Sequence, residues 1–312
     1  MKEFLITKNE SGKRLDKFVM TVLPKAPSSF VYKMLRKKNI KLNSEKAQGS
    51  EKLEEGDRVT LYFSEETLEG FGLKQNEVST DEYETAFNTL KNITVEYEDE
   101  DIVILNKPFN VLSQKAAPGD ISLNEWLIGY LLDKKAISKA DLKTFKPSVL
   151  NRLDRNTRGL VIGSKTLSGA REVAKMLKDR TLRKFYLAIV VGVLNDDLDL
   201  RGYWYKDTRT NTVTVYDKPG INDEAVPIHT LVHPVKTFED RTKVEIELVT
   251  GKSHQIRAHL SSVGFPLLGD PKYGDVAMNR KYCTHGQMLT ASRIVFPTEC
   301  SLPALKGRTI SI

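Results

Sequence analysis

The stretch "TKVEIELVTGKSHQIRAHLSSVG", residues 242–264, decides between two architectures. Its first half alternates, with Val244, Ile246 and Leu248 on one face and Lys243, Glu245 and Glu247 on the other, which predicts a half-buried strand. Its second half predicts a short helix ended by Gly264. At the junction stands Thr250-Gly251-Lys252-Ser253, the tail of a phosphate-cradling loop. A full loop of that kind needs a glycine five residues before Gly251, and that position is Ile246, a strand residue. The cradle is therefore missing, and with it the reason to expect a nucleotide-binding doubly wound sheet.

Working outward, residues 94–312 mix strands and helices without a βαβ rhythm. "ITVEYEDEDIVILNKP" reads as two strands around an acidic turn, and "SLNEWLIGYLLDKKAI" as a helix. "LVIGSKT", "RKFYLAIVVGVL" and "QMLTASRIVF" read as further strands. "LSGAREVAKMLKDRT" reads as a helix with Ala170, Val173, Ala174 and Leu177 inward. Strands outnumber helices, so the expected class is α+β, with a mainly antiparallel mixed sheet and flanking helices.

Residues 1–63 read as a small α+β unit. Leu15, Phe18, Val19 and Val22 share one helical face, and Val31, Met34 and Leu35 share another. "IKLN" and "GDRVTLYF" follow as short strands. The polar positions are basic, including Arg14, Lys17, Arg36, Lys37 and Lys38, a face suited to phosphates. Residues 64–93 are acidic and sparse in apolar side chains, and read as a linker before a domain spanning 94–312.

The charge distribution follows these divisions. Residues 1–50 hold 12 Lys and Arg against 4 Asp and Glu, residues 51–100 hold 4 against 15, and the rest hold 32 against 22. Two basic blocks around an acidic one suggest a polyanion partner, nucleic acid ahead of membrane, although a lysine-rich solvated surface would give the same counts. No apolar run reaches the ~18 residues of a membrane span, and the N-terminus lacks a secretory core, so a cytoplasmic protein is expected. Cys283 and Cys300 stand outside any CxxC pair, which speaks against a zinc site or a disulfide scaffold. His229 and His233 sit beside Pro227 and Pro234, where a helix presenting both to a metal is implausible, and His254 and His259 point apart on a short helix, so no metal is expected.

That leaves "SVLNRLDRNTRGLVIGSKT", residues 148–166, where Asp154 stands among Arg152, Arg155 and Arg158 just before an apolar strand. Guanidinium neighbours favour the charged carboxylate, which suits a nucleophile or electrostatic stabiliser better than a general acid. A structural Asp serving loop amides would read the same way in isolation. Its position at a polar turn on a rigid strand, with arginines able to hold an RNA backbone beside it, favours function.

Two resemblances cover nearly the whole chain. "RLDKFV", "RKKNIKLN" and "LEEGDRVTLYF" resemble the alpha-L RNA-binding domain. "LNRLDRNTRGLVI" resembles the signature of RluA-type pseudouridine synthases, and "YEDEDIVILNKP", "RKFYLAIVVG" and "LVTGKSHQIRAHLSSVGFPLLGDPKYG" resemble that family's other segments in the same order. The resemblance implies isomerisation of uridine to pseudouridine in RNA, with no cofactor. It implies Asp154 as the catalytic carboxylate and Arg152 as the side chain that takes the place of a flipped nucleotide. It further implies Tyr186 stacking on uracil, as a candidate proton acceptor, and Arg257 pairing with Asp154. Arg155 and Arg158 would add RNA contacts, and Ile256 and Leu260 would wall the pocket or pack beneath it.

The chain departs from the family pattern at Asn110 (commonly Gly), Asn151 (His), Arg158 (Ser) and Thr290 (His). The implied substrate is large-subunit ribosomal RNA, bound by a monomer, with no DNA or membrane partner. A tRNA pseudouridine synthase and a non-catalytic RNA-binding assembly factor are the alternatives, and joint retention of Asp154, Tyr186 and Arg257 argues against the latter.

Overall fold

A computed structural model describes residues 1–73 and 79–312. The chain begins with strand β1 (Lys2–Leu5), helices α1 (Leu15–Val22) and α2 (Ser28–Arg36), then strands β2 (Ile40–Leu42), β3 (Glu45–Lys46) and β4 (Arg58–Leu61). The four strands form one antiparallel sheet in the order β1-β4-β2-β3. Leu15, Phe18, Val19, Val31 and Leu35 from the two helices pack with Ile40, Val59 and Leu61 of the sheet in a core of their own.

Two short helices follow, α3 (Glu65–Gly70) and α4 (Asp81–Thr89). The segment expected to be an acidic linker is thus partly ordered. Leu68 of α3 joins the N-terminal core, while Tyr83 and Ala86 of α4 join the core of the large sheet. The acidic residues that suggested a linker lie in the first turns, Glu65 and Glu66 in α3 and Asp81, Glu82 and Glu84 in α4, where they complement the helix dipole. Two turns of helix are too short to show a period in the sequence. The part of the linker between 74 and 78 lies outside the described residues.

The remaining strands are β5 (Thr94–Glu98), β6 (Ile102–Lys107), β7 (Arg158–Ser164), β8 (Arg183–Val191), β9 (Leu198–Asp207), β10 (Thr212–Tyr216), β11 (Val226–Thr237), β12 (Arg241–Leu248), β13 (Leu289–Val295) and β14 (Thr309–Ser311). They form one sheet ordered β10-β9-β11-β12-β8-β13-β7-β6-β5, with β14 added to β13. Its pairings are antiparallel except β7 with β13. The helices are α5 (Leu123–Asp133), α6 (Leu167–Lys178), α7 (Gln255–Ser262) and α8 (Val276–Lys281). The expected α+β class, with a mixed, mainly antiparallel sheet and flanking helices, is what the chain adopts. Among the described residues no helix is long and apolar enough to cross a membrane.

Burial explains why strands of one sheet read so differently. β6 and β7 are covered on both faces: Val103, Leu105 and Val161 point to the core shared with α4 and α5, while Ile102, Ile104, Leu160 and Ile162 point to a second core with α6 and the C-terminus. Both therefore read as continuous apolar runs. β12 buries Val244, Ile246 and Leu248 and leaves Lys243 exposed, so it alternates. The inward face of α6 is Gly169, Val173 and Met176, with Leu177 half-buried against the same core; Val173 and Leu177 are where the sequence put them, whereas Ala174 is exposed and Ala170 only half-buried. The helix is turned because it crosses the Asp101 carbonyl at Gly169, where a Cβ would come within 2.3 Å of that oxygen.

Candidate active site

The Asp154 loop runs into β7 and is fastened from four sides. Lys107, at the end of β6 and fully buried, donates from Nζ to the carbonyls of Pro108 (3.1 Å), Val111 (2.8 Å) and Arg155 (3.1 Å). Burial lowers its pKa to about 8, against the opposing charge of Asp154. Ser113 Oγ donates to the Leu153 carbonyl (2.8 Å) and accepts from the Leu153 amide (3.0 Å). Gln287 Nε2 donates to Thr157 Oγ1 (2.6 Å). Asn151 Oδ1 accepts from the Ile162 amide (2.7 Å), so this side chain satisfies a strand amide of β7. Every backbone group held in this way removes a freedom the loop would otherwise have.

Asp154 itself is one-quarter exposed at the side chain, and its Oδ2 accepts from Arg257 Nη1 at 2.8 Å. Arg257 lies in the first turn of α7, is 6% exposed, and gives its other two nitrogens to Asp270: Nε to Oδ2 at 2.7 Å and Nη2 to Oδ1 at 2.9 Å. The Asp270 side chain is fully buried, and the amides of Lys272 (2.8 Å) and Tyr273 (3.1 Å) also donate to its Oδ1. Burial pushes the Asp270 pKa up, but Arg257 and the two amides outweigh it and hold the carboxyl below its usual range. Burial likewise opposes charge on Arg257, and the two carboxylates more than offset it, raising its pKa above the usual value. The result is a charged row, carboxylate–guanidinium–carboxylate, with one end walled in and the other open to solvent.

His254 completes this end of the site. It precedes α7 with φ 53°, a left-handed conformation uncommon for a residue with a side chain. Tyr273 Oη accepts from the Val213 amide at 2.9 Å, so its proton points to His254 Nδ1 at 3.0 Å. That assignment leaves the ring proton on Nε2, which faces Asp154 Oδ2 at 4.0 Å. Burial, then the charges of Arg257, Lys272 and Lys206, lower the His254 pKa against the pull of Asp154, so the ring is neutral at pH 7.

Tyr186, on β8 between Ile246 of β12 and Ala291 of β13, is 5% exposed. Burial, and then the charge of Asp154, push its phenol pKa well up. Tyr186, Asp154, Arg152, Arg257, His254 and Ile256 line a narrow cavity of about 50 Å³. Leu260 is fully buried beneath it in the large core. A wider groove of about 710 Å³ lies between α4 and the end of α5, away from these groups.

The arginines adjacent to Asp154 in sequence behave differently from expectation. Arg152, Arg155 and Arg158 are exposed, and among the described residues none forms an ion pair with Asp154. The partner is Arg257, 103 positions away. A loop that projects its long side chains to solvent cannot also fold them back on a central carboxylate, and a helix facing the loop can supply that partner. Arg14, Lys17, Arg36, Lys37 and Lys38 are exposed on the N-terminal unit, Arg14 being paired with Asp16 at 2.9 Å.

Sequence reasoning did not find Asp270, His254, Tyr273 or Lys107. Asp270 and Tyr273 sit in "GDPKYG", which has the composition of an ordinary turn, and Lys107 in "NKP" gives no sign that a lysine will be buried. Three departures from the family pattern gather in one place. Asn110 has φ 63°, where Gly or Asn is favoured; Arg158 lies over the neighbouring Phe109 ring at 5.6 Å and pairs with Thr290 across β7 and β13. Beside that pair Gly159 touches Ala291, where a Cβ would lie 2.1 Å from the carbonyl oxygen, so only glycine fits.

Comparison with known proteins gives the family of the chain. The family model described as RNA pseudouridylate synthase matches residues 101–262. An uncharacterized RNA pseudouridine synthase of Mycoplasma genitalium is 30% identical over 299 residues, 95% of this chain and 89% of the relative. Ribosomal large subunit pseudouridine synthase C of Vibrio cholerae is 27% identical, over 86% of this chain and 79% of its own. Among solved structures, human RNA pseudouridylate synthase domain containing 4 shares the fold with a TM-score of 0.55 at 18% identity, over 75% of this chain and 93% of its own.

Proposed function

The chain belongs to the RNA pseudouridylate synthase family, in its RluA-type branch, and on that premise we propose that it isomerises specific uridines of large-subunit ribosomal RNA. The observation that carries the reading is the Asp154 carboxylate held at 2.8 Å by the buried Arg257 at the floor of a cleft with an exposed arginine rim. The N-terminal unit, residues 1–63, serves as the RNA grip, through the exposed Arg14, Lys17, Arg36, Lys37 and Lys38. In this reading the chain works as a monomer in the cytoplasm.

The reaction breaks the N1–C1′ bond of a uridine and joins C1′ to C5 of the same uracil, so N1 gains a proton and C5 loses one. A stacked base cannot present C1′ to a protein carboxylate, so the nucleotide must leave the helix. The cavity at Asp154 holds about 50 Å³, too little for a nucleotide, and Arg152 on its exposed rim is the side chain free to swing out and occupy the vacated stack. Asp154, held at 2.8 Å by Arg257, acts at the sugar as C1′ becomes electron-poor. Hydrolysis of a glycoside needs a second carboxyl as acid; here the departing uracil returns, so one suffices. Tyr186 keeps its proton at neutral pH because burial and Asp154 raise its pKa, which makes it a wall for the uracil ring and a poor initial base. The Asp154 carboxylate, free once C5 has bonded to C1′, is then the base at hand for the C5 proton. Arg155 and Arg158 hold backbone phosphates on the approach.

The test is pseudouridine formation by the purified chain on deproteinised ribosomal RNA and tRNA, with Asp154→Asn alongside. Modification of ribosomal RNA lost in the variant is expected. Modification of tRNA alone would move the substrate to that class, and none in either RNA would overturn the enzymatic reading in favour of an assembly factor.

A further inference from the structure

The N-terminal unit carries a feature that a cationic grip on phosphates does not require. Tyr32 lies on α2 and is 40% exposed, yet its hydroxyl is fastened, donating to Asp16 Oδ2 at 2.6 Å. Asp16 is buried, and Arg14 donates to both its oxygens from Nε (3.1 Å) and Nη2 (2.9 Å). The neighbouring chain comes close without a side chain: Gly49 has φ +99°, and a Cβ there would lie 2.7 Å from Leu35 Cδ1 and 3.3 Å from Asp16 Cβ. The Gly49 amide is itself held by Glu51 at 2.6 Å. The ring is therefore an exposed aromatic face that has already lost its freedom.

Beside it opens a cavity of about 540 Å³ lined by Tyr32, Leu35, Arg36, Lys46, Ala47 and Gln48. That volume is within the ~300–1,000 Å³ of small-ligand sites. Its charged lining is cationic, Arg36 and Lys46, both exposed, while the nearby Asp16 is neutralised by Arg14. A fixed aromatic face between cations matches an unpaired base with its flanking phosphates. It matches a folded protein partner less well, since the surrounding charges would stay unpaired.

We propose that Tyr32 is a stacking platform for one unpaired RNA base, with Arg36 and Lys46 holding the phosphates on either side. The proposal rests on RNA being the substrate and adds a base-binding pocket that shares no lining residue with the cavity at Asp154. Stacking gives the grip a preference for single-stranded or looped RNA that exposed lysines alone cannot supply.

The experiment uses the full chain with two probes of equal length: a uridine dodecamer and the same ribose-phosphate chain without bases. Tyr32→Ala is expected to weaken binding of the dodecamer about tenfold, the scale of one stacked base, and to leave the abasic chain within about twofold. Tyr32→Phe, which keeps the ring and loses the anchor, is expected to stay within about twofold on both. Arg36→Ala with Lys46→Ala weakens both probes and flattens the dependence of log Kd on log salt by about one to one and a half. A dodecamer containing 5-iodouridine should crosslink to Tyr32 under ultraviolet light. The platform is overturned if Tyr32→Ala binds the dodecamer like the unaltered chain, if it loses both probes equally, or if Tyr32→Phe loses as much as Tyr32→Ala. Pseudouridine formation in deproteinised RNA is scored separately. Its absence with the Tyr32 pattern intact refutes the enzymatic reading alone, and its presence without that pattern refutes the platform alone.

Discussion

The two ends of this chain use positive charge in opposite ways. At the active site Arg257 is buried, every guanidinium nitrogen is engaged by a carboxylate, and its position is set to within a hydrogen bond. On the N-terminal unit Arg36, Lys37 and Lys38 close α2 with their side chains in water. Buried paired charge gives geometry at a desolvation cost that only good partners offset. Exposed charge gives long-range attraction to a polyanion and almost no geometry. Under the proposed function this is a division of labour: the first region would select an atom and the second a molecule.

Breaking the first region should cost the most. Asp154→Asn is expected to lower the single-turnover rate of pseudouridine formation by about 10⁴-fold or more, as for removal of a central catalytic group, while RNA binding holds. Full activity in that variant would end the mechanism proposed. Next in size is Asp270→Asn, which never touches substrate but frees Arg257 to shift. Its expected signature is kcat down about 100-fold with KM little changed, plus a lower melting temperature from the half-broken buried pair. A variant that melts earlier and turns over normally would show that the pair is structural only.

The second region should respond in the complementary variable. Replacing Arg36, Lys37 and Lys38 by Ala together is expected to weaken RNA binding about tenfold and flatten its salt slope by about two, with kcat at saturating RNA unchanged. An unchanged slope removes this patch from the footprint, and a fallen kcat dissolves the contrast between the two regions.

The smallest effect sharpens what burial does to a charge. His259 is buried against Thr230, and burial lowers its pKa to about 4. An unfolded histidine titrates near ~6.5, so between these values the unfolded chain binds the extra proton. Stability is therefore full above that window and falls as pH drops through it, by at most about 1.4 kcal/mol per pH unit. Urea unfolding at pH 7 and pH 4.5 should show this slope, and His259→Asn should reduce it.

Some of the site could be read directly. Asp154 stands out because it lies in a polar turn at a strand entrance within an ordered set of family-like motifs, and the same order of motifs carried Tyr186 and Arg257 with it. The strands of the large sheet were legible where one face is wet, as in β12, and where both are dry, as in β6 and β7. The face of α6 was read only in part, at Val173 and Leu177, because a carbonyl in the turn before β6, at Asp101, meets the helix at Gly169.

By itself, then, the sequence determined the class of the fold, the strand entrance that carries Asp154, and the uneven distribution of charge. Each of these follows from local periodicity or from counting side chains. Only the tertiary structure decided that the arginines next to Asp154 in sequence turn away from it, that Asp270 stands behind Arg257, that His254 and Tyr273 flank the pair, and that Lys107 ties down the loop. Those pairings join residues that long loops and whole strands separate, and a buried ion pair is specified by where the backbone brings two groups together. Local composition carries no record of that distance.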